Sequence, residues 1–217
     1  MSTSSKTKTA HTFPDAPMKA LFKEEGIERT TKEVSPLFNS LMEFFGRRVV
    51  DGLLQLDIKP GKTKDDNNVP ARKIKPEHVA MLYPDYKEDI MKAQTHNVVR
   101  ISPDEDDEEA GTKAKNESSK DSSKDEKKKK PKAQMVFFAH SPTVKFIREM
   151  IPEDSPYTFT EAGATAVHIV MEKLMRSLAR DAAIMLSIPN KTKPRKTLAH
   201  RELSAVAYFT YRIPMSS

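Results

Sequence analysis

The stretch Thr160-Glu-Ala-Gly-Ala-Thr-Ala-Val-His-Ile-Val-Met-Glu-Lys-Leu-Met-Arg-Ser-Leu-Ala-Arg-Asp-Ala-Ala-Ile-Met-Leu-Ser187 decides the fold. Val167, Val170, Met171, Leu174, Met175, Leu178, Ala182 and Met185 recur in it at steps of three and four, the period of an amphipathic helix. At about 1.5 Å per residue such a helix reaches roughly 40 Å. Pro189 ends it. Upstream, Thr143 to Met150 predicts a short helix stopped by Pro152. Downstream, the basic loop Asn190-Lys-Thr-Lys-Pro-Arg-Lys196 leads to a helix that starts near Thr197 or Ala199 and runs to about Tyr208.

The first half of the chain repeats this rhythm. A short helix is expected near Pro17 to Glu25, with Met18, Leu21 and Phe22 on one side and Gly26 as its stop. Pro36 suits the first turn of a long helix carrying Leu37, Leu41, Phe44, Phe45, Val49, Leu53 and Leu56, expected to end near Pro60-Gly61. A polar loop from Lys62 to Arg72 follows, then a short helix opened by Pro76 and reaching Leu82. Neither half shows strand alternation, so the fold class is all-α. A lone unit of this kind exposes apolar surface on its long helix, and two units crossing at their long helices would cover each other. The expected architecture is an internal pseudo-dimer.

Composition divides the chain further. Residues 1–12 read as a basic, disordered tail and 13–103 as the first folded block. Residues 104–133 read as a charged flexible linker that opens with Asp104-Glu-Asp-Asp-Glu-Glu109 and closes on a lysine cluster. Residues 134–217 form the second block. The 217 residues hold 37 Lys+Arg against 31 Asp+Glu, a net charge of +6 whose uneven spread suits a polyanion partner. There is no Cys, which removes disulfides, thiolate metal sites and thiol nucleophiles. No apolar run approaches the ~20 residues of a bilayer span, and the polar N-terminus does not read as a secretory signal, so a soluble intracellular protein is expected.

Enzyme signatures fail one by one. Gly61-Lys62-Thr63 imitates the end of a phosphate loop, but the required earlier glycine position is Leu56. No Gly-x-Ser-x-Gly occurs, and the six His do not fall into a metal-ligand spacing. His78 and His168 read as packed or hydrogen-bonded helix residues. No enzyme activity, cofactor or small-molecule substrate is expected.

Taken in order, short motifs in both halves resemble a known family. Block one runs from Phe13-Pro14 through Glu28-Arg29 and Met42-Glu43-Phe44 to Arg72-Lys-Ile74-Lys-Pro76-Glu-His78-Val79 and Pro84-Asp-Tyr-Lys-Glu-Asp-Ile90. That series is similar to core histone 2A, with some likeness to histone 4 as well. Block two, with its basic lead-in, Val144-Lys-Phe-Ile-Arg-Glu-Met-Ile-Pro152-Glu-Asp154 and Arg195-Lys-Thr197-Leu-Ala-His-Arg201-Glu202-Leu203-Ser-Ala-Val206, is similar to core histone 2B. The fusion resembles the histone doublets of giant DNA viruses, although there the 2B-like half leads.

The resemblance implies two histone folds in an intramolecular handshake, with each second loop beside the other half's first loop. Double-stranded DNA is the implied partner, together with a second, 3–4-like histone pair or another doublet, and no membrane. The implied location is the nucleus or viral factory, and the virion if the protein is viral. The implied DNA contacts are Arg29, Lys32, Arg72, Lys73 and Lys75 in block one. In block two they are Thr158, Thr160, Lys191, Lys193, Arg195, Lys196 and Thr197, preceded by the basic segment Lys127, Lys128, Lys129, Lys130 and Lys132. Glu43, Asp51, Glu88 and Asp89 match the acidic patch that docks partner arginines, weakened by a cation at Arg48. Arg195 and Glu202 match a structural ion pair. The rival reading is a histone-fold scaffold whose main partner is protein.

Overall fold

The computed structural model describes residues 13–61, 71–93, 99–100, 135–188 and 195–213. The expected N-terminal tail, the acidic run at 104–109, Lys127, Lys128, Lys129, Lys130, Lys132, Lys191 and Lys193 lie outside these residues. The described chain is mostly helical. In the first half α1 is Asp15–Glu24, β1 Arg29–Thr30, α2 Val34–Leu54, β2 Arg72–Ile74 and α3 Pro76–Leu82. A 3-10 turn at Pro84–Tyr86 then leads into α4 (Lys87–Ala93) and β3 (Val99–Arg100). The second half contains β4 (Met135–Val136), α5 (His140–Glu149), β5 (Tyr157–Phe159), α6 (Glu161–Ser187), β6 (Thr197–Leu198) and α7 (His200–Tyr211).

Local chemistry sets the helix ends. Gly26, at φ +87°, closes α1: its N–H reaches Lys23 O at 3.0 Å and the Ile27 N–H reaches Phe22 O at 3.0 Å. These two bonds satisfy carbonyls that the helix leaves open, and they turn Ile27 into the core. Thr160 caps α6 by accepting from Gly163 N at 3.0 Å. The α7 start is held by Glu202, which accepts from Ala199 N at 3.2 Å.

The long helices α2 and α6 pack against each other. Phe38, Leu41, Met42, Phe45, Val49 and Leu53 of α2 belong to the same buried cluster as Val167, Val170, Met171, Met175, Leu178 and Ala182 of α6. At Gly46 an added Cβ would stand 2.5 Å from Met150 Cε and 3.2 Å from Met171 Cε, so the ends of two second-half methionines pack onto bare backbone here and would have to swing aside for a side chain. The core is continuous across both halves. Neither half owns it.

Three parallel strand pairs stitch the halves together: β1 with β6, β2 with β5, and β3 with β4. With two or three residues per strand, they leave the helices as the architecture. Two sequence expectations need correction. The second helix stops at Leu54, short of Pro60, because the chain is drawn out toward β5, where Leu56 O accepts the Tyr157 hydroxyl at 2.9 Å. The short helix of the second half starts at His140, three residues before Thr143, because the preceding Phe137 and Phe138 are anchored in the core.

That anchor is a buried carboxylate. Glu172 of α6 accepts from Phe138 N at 2.7 Å and Phe137 N at 3.0 Å, and lies 3.3 Å from His168 Nε2. Phe138 then meets Phe13 edge-on at 5.4 Å between ring centroids, linking the start of the first half to the start of the second.

Candidate nucleic-acid interface

The strand pairs bring most of the described candidate cations into two clusters, at opposite ends of the long helices. The first is β2–β5, where α2 has ended and α6 begins. Arg72, Lys73 and Ile74 stand in register with Tyr157, Thr158 and Phe159. Arg72 N donates to Pro156 O at 2.8 Å, and Thr160 N returns a bond to Ile74 O at 3.0 Å. Gly163 permits this approach: a Cβ there would fall 2.3 Å from Ile74 O.

Arg72 is held within the first cluster. Its Nη1 donates to the Tyr157 hydroxyl at 3.1 Å, its guanidinium lies 5.5 Å from the centre of that ring, and Asp57 is 3.7 Å away. A third of the side chain remains exposed, leaving other N–H groups of the fork for a solvent-side anion. Lys73, Lys75 and Thr158 are exposed beside it. Thr160 is not available as a phosphate donor. Its hydroxyl proton goes to Ile74 O at 3.0 Å while its oxygen caps α6.

The second cluster is β1–β6, where Arg29 pairs with Thr197 and Thr30 with Leu198. Glu28 N and Arg29 N both donate to Lys196 O, at 3.0 and 3.1 Å. Arg29, Lys32, Arg195, Lys196 and Thr197 are exposed. Arg195 Nη1 lies 3.3 Å from Glu202 Oε1, the expected ion pair, and Arg201 Nε reaches the same oxygen at 2.9 Å. Burial of Glu202 pushes its carboxyl up, but hydrogen bonds from Arg201 and the backbone outweigh this and leave it below the usual range. Lys196 is ion-paired with Glu28, and that hydrogen bond holds the Glu28 carboxyl low.

Three of the four acids of the expected patch stand beside cations, two of them in solvent-exposed pairs, each within a single helix. Glu43 binds Arg47 at 2.8 Å, Glu88 binds Lys92 at 3.4 Å, and Asp89 binds Lys173 at 2.8 Å. Asp51 is exposed. Sequence reasoning missed Tyr157, Asp57 and Glu28, the groups that hold the cations. No local signal joins Tyr157 to Arg72; only the loop pairing does.

Compared with protein-family models and with characterised proteins, the sequence matches none. The described residues hold no cluster of His, Asp and Glu suited to a metal ion, and no helix long and apolar enough to cross a membrane.

Proposed function

We propose that this protein is a structural DNA-packaging protein: two fused histone folds, 2A-like then 2B-like, that clasp in an internal handshake and wrap double-stranded DNA without reading its sequence. One observation carries the reading. Each half's second loop pairs in parallel with the other half's first loop, and this gathers Arg72, Lys73 and Lys75 at one end and Arg29, Lys32, Arg195 and Lys196 at the other.

Cations on short paired loops suit phosphates, which need charge and N–H donors but no base-specific pocket. The 21 residues of α2 separate the two loop pairs by about 30 Å along that helix, close to one turn of duplex DNA. A duplex crossing both ends would meet a cationic loop pair once per turn, the spacing that wrapping by backbone contacts requires. The partners on this reading are DNA and a second histone pair or doublet, and the place of action is the nucleus, a viral factory or a virion. An acidic patch that shares its surface with exposed Arg47, Arg48 and Lys92 would dock partner arginines weakly.

Nuclease digestion of complexes reconstituted on long DNA tests the proposal. A discrete protected length is expected; a smear counts against a wound particle. If DNA is not bound at all, the histone-fold scaffold reading takes its place.

A further inference from the structure

Among the described residues, four ion pairs join the two halves, and all point the same way. Asp89 holds Lys173 at 2.8 Å, Glu24 holds Arg176 at 3.3 Å, Glu25 holds Arg180 at 3.3 Å, and Glu28 is paired with Lys196. Every acid comes from the first half and every base from the second. Lys173, Arg176 and Arg180 form a stripe on α6 at steps of three and four, so one face of that helix presents them together. Most of the side chains along the stripe are half-buried, and Glu25 is only 15% exposed, so solvent screens these charges less than those of open surface pairs.

The second half keeps few of these acids at matching places. Both short helices, α1 and α5, are ten residues long and precede a first-loop strand. Glu24 and Glu25 at the end of α1 therefore match Glu149 and Met150 at the end of α5. Glu28, just before β1, matches Pro156 when counted back from β5, and the acid at its distance from the helix end, Glu153, stands three residues further from the strand pair. Asp89 sits on α4, which has no counterpart among the described residues of the second half. A second half facing another second half would bring only Glu149 from its short helix to the stripe, an acid that already lies 4.0 Å from Lys145 of its own helix, with Glu153 and Asp154 carried in a first loop three residues longer than that of the first half.

We propose that this one-way charge stripe is a pairing code: a second half accepts a first half, its own or that of another copy of the chain, and rejects another second half. The apolar core supplies most of the adhesion; the stripe adds a charge preference for one kind of partner. The inference is independent of the DNA reading, because it concerns only how the halves find each other.

Two complementary full-length chains test it. One carries Glu24→Lys, Glu25→Lys and Asp89→Lys; the other carries Lys173→Glu, Arg176→Glu and Arg180→Glu. Alone, each sets like charges against each other and should melt below the parent. Mixed after unfolding and refolding, each chain's first half finds a complementary second half only on the other chain. Native mass spectrometry should then show a 1:1 two-chain species, about tenfold more abundant than in either sample alone. Equal amounts in mixed and separate samples would overturn the proposal. So would reversed chains as heat-resistant as the parent. A third chain with all six reversals restores every pair internally; it should be monomeric and melt near the parent, and failure to recover would also overturn the code.

Discussion

Arg72 and Tyr157 stand opposite each other in the β2–β5 pair, with the guanidinium Nη1 3.1 Å from the phenolic oxygen. That oxygen in turn donates to Leu56 O at 2.9 Å, so one hydroxyl ties the end of α2, the second loop of the first half and the first loop of the second half. Tyr157→Phe keeps the ring under Arg72 and removes both bonds. Stability should fall by about 1–3 kcal/mol in a urea titration, the net value of two lost hydrogen bonds. DNA affinity should fall severalfold although no charge is lost. Unchanged affinity would mean that Tyr157 does not aim Arg72.

Gly163 marks the tightest crossing between the halves. Gly163→Ala would drive a Cβ to 2.3 Å from Ile74 O, a backbone atom that cannot rotate away. The cost should be at least the roughly 1–3 kcal/mol of an overpacked site. Amide exchange should locate the damage, with protection lost first at Arg72 and Thr160, whose N–H groups cross this junction.

How much of this was legible in the sequence follows the range of each interaction. The α6 span was readable because its apolar period persists for seven turns, and Gly26 and Pro189 are strong local stops. The end of α2 was not, because Leu56 continues the helical period while a tertiary bond to Tyr157 draws the chain out. The cationic loops could be placed by resemblance, and the pairing of Arg72 with Tyr157 could not, since 85 residues separate them. Thr160 illustrates a different failure: a threonine before a helix can cap it or donate outward, and the composition of a loop does not say which.

Glu172 holds the start of the second half in the core, accepting from the N–H groups of both Phe137 and Phe138. Glu172→Gln leaves one acceptor oxygen where two are used and turns an NH2 toward a backbone N–H. Loss of about 1–3 kcal/mol is expected, the range for a buried donor left unsatisfied. Fluorescence or calorimetric melting would measure it, and a neutral result would show that the phenylalanine rings alone hold the anchor.

His140 supplies a pH dependence whose sign can be worked out. Burial and the neighbouring His168 ring, 5.9 Å away, lower its pKa from the ordinary value, against Glu161, which raises it, while Arg148 also lowers it. Glu172 faces His168 on its other side. The unfolded chain therefore binds the proton more tightly than the folded one, and stability falls as pH drops below about 6.5 and levels off beneath the folded pKa. Glu28, Glu33 and Glu202, all held low, add a second loss below about pH 4.5, as their carboxyls are protonated. Urea midpoints measured across this range should show both steps. The upper step should vanish in His140→Gln, while the lower one should remain.

The most direct measurement is the dissociation constant for two unrelated DNA duplexes at increasing salt. Log affinity should fall linearly with log salt by about 0.9 per phosphate neutralised, with the same slope for both sequences. Arg72→Ala together with Arg195→Ala should weaken binding to both and flatten the slope by about 2. Affinity indifferent to salt, a preference for one sequence, or a double variant that binds like the parent would contradict the account.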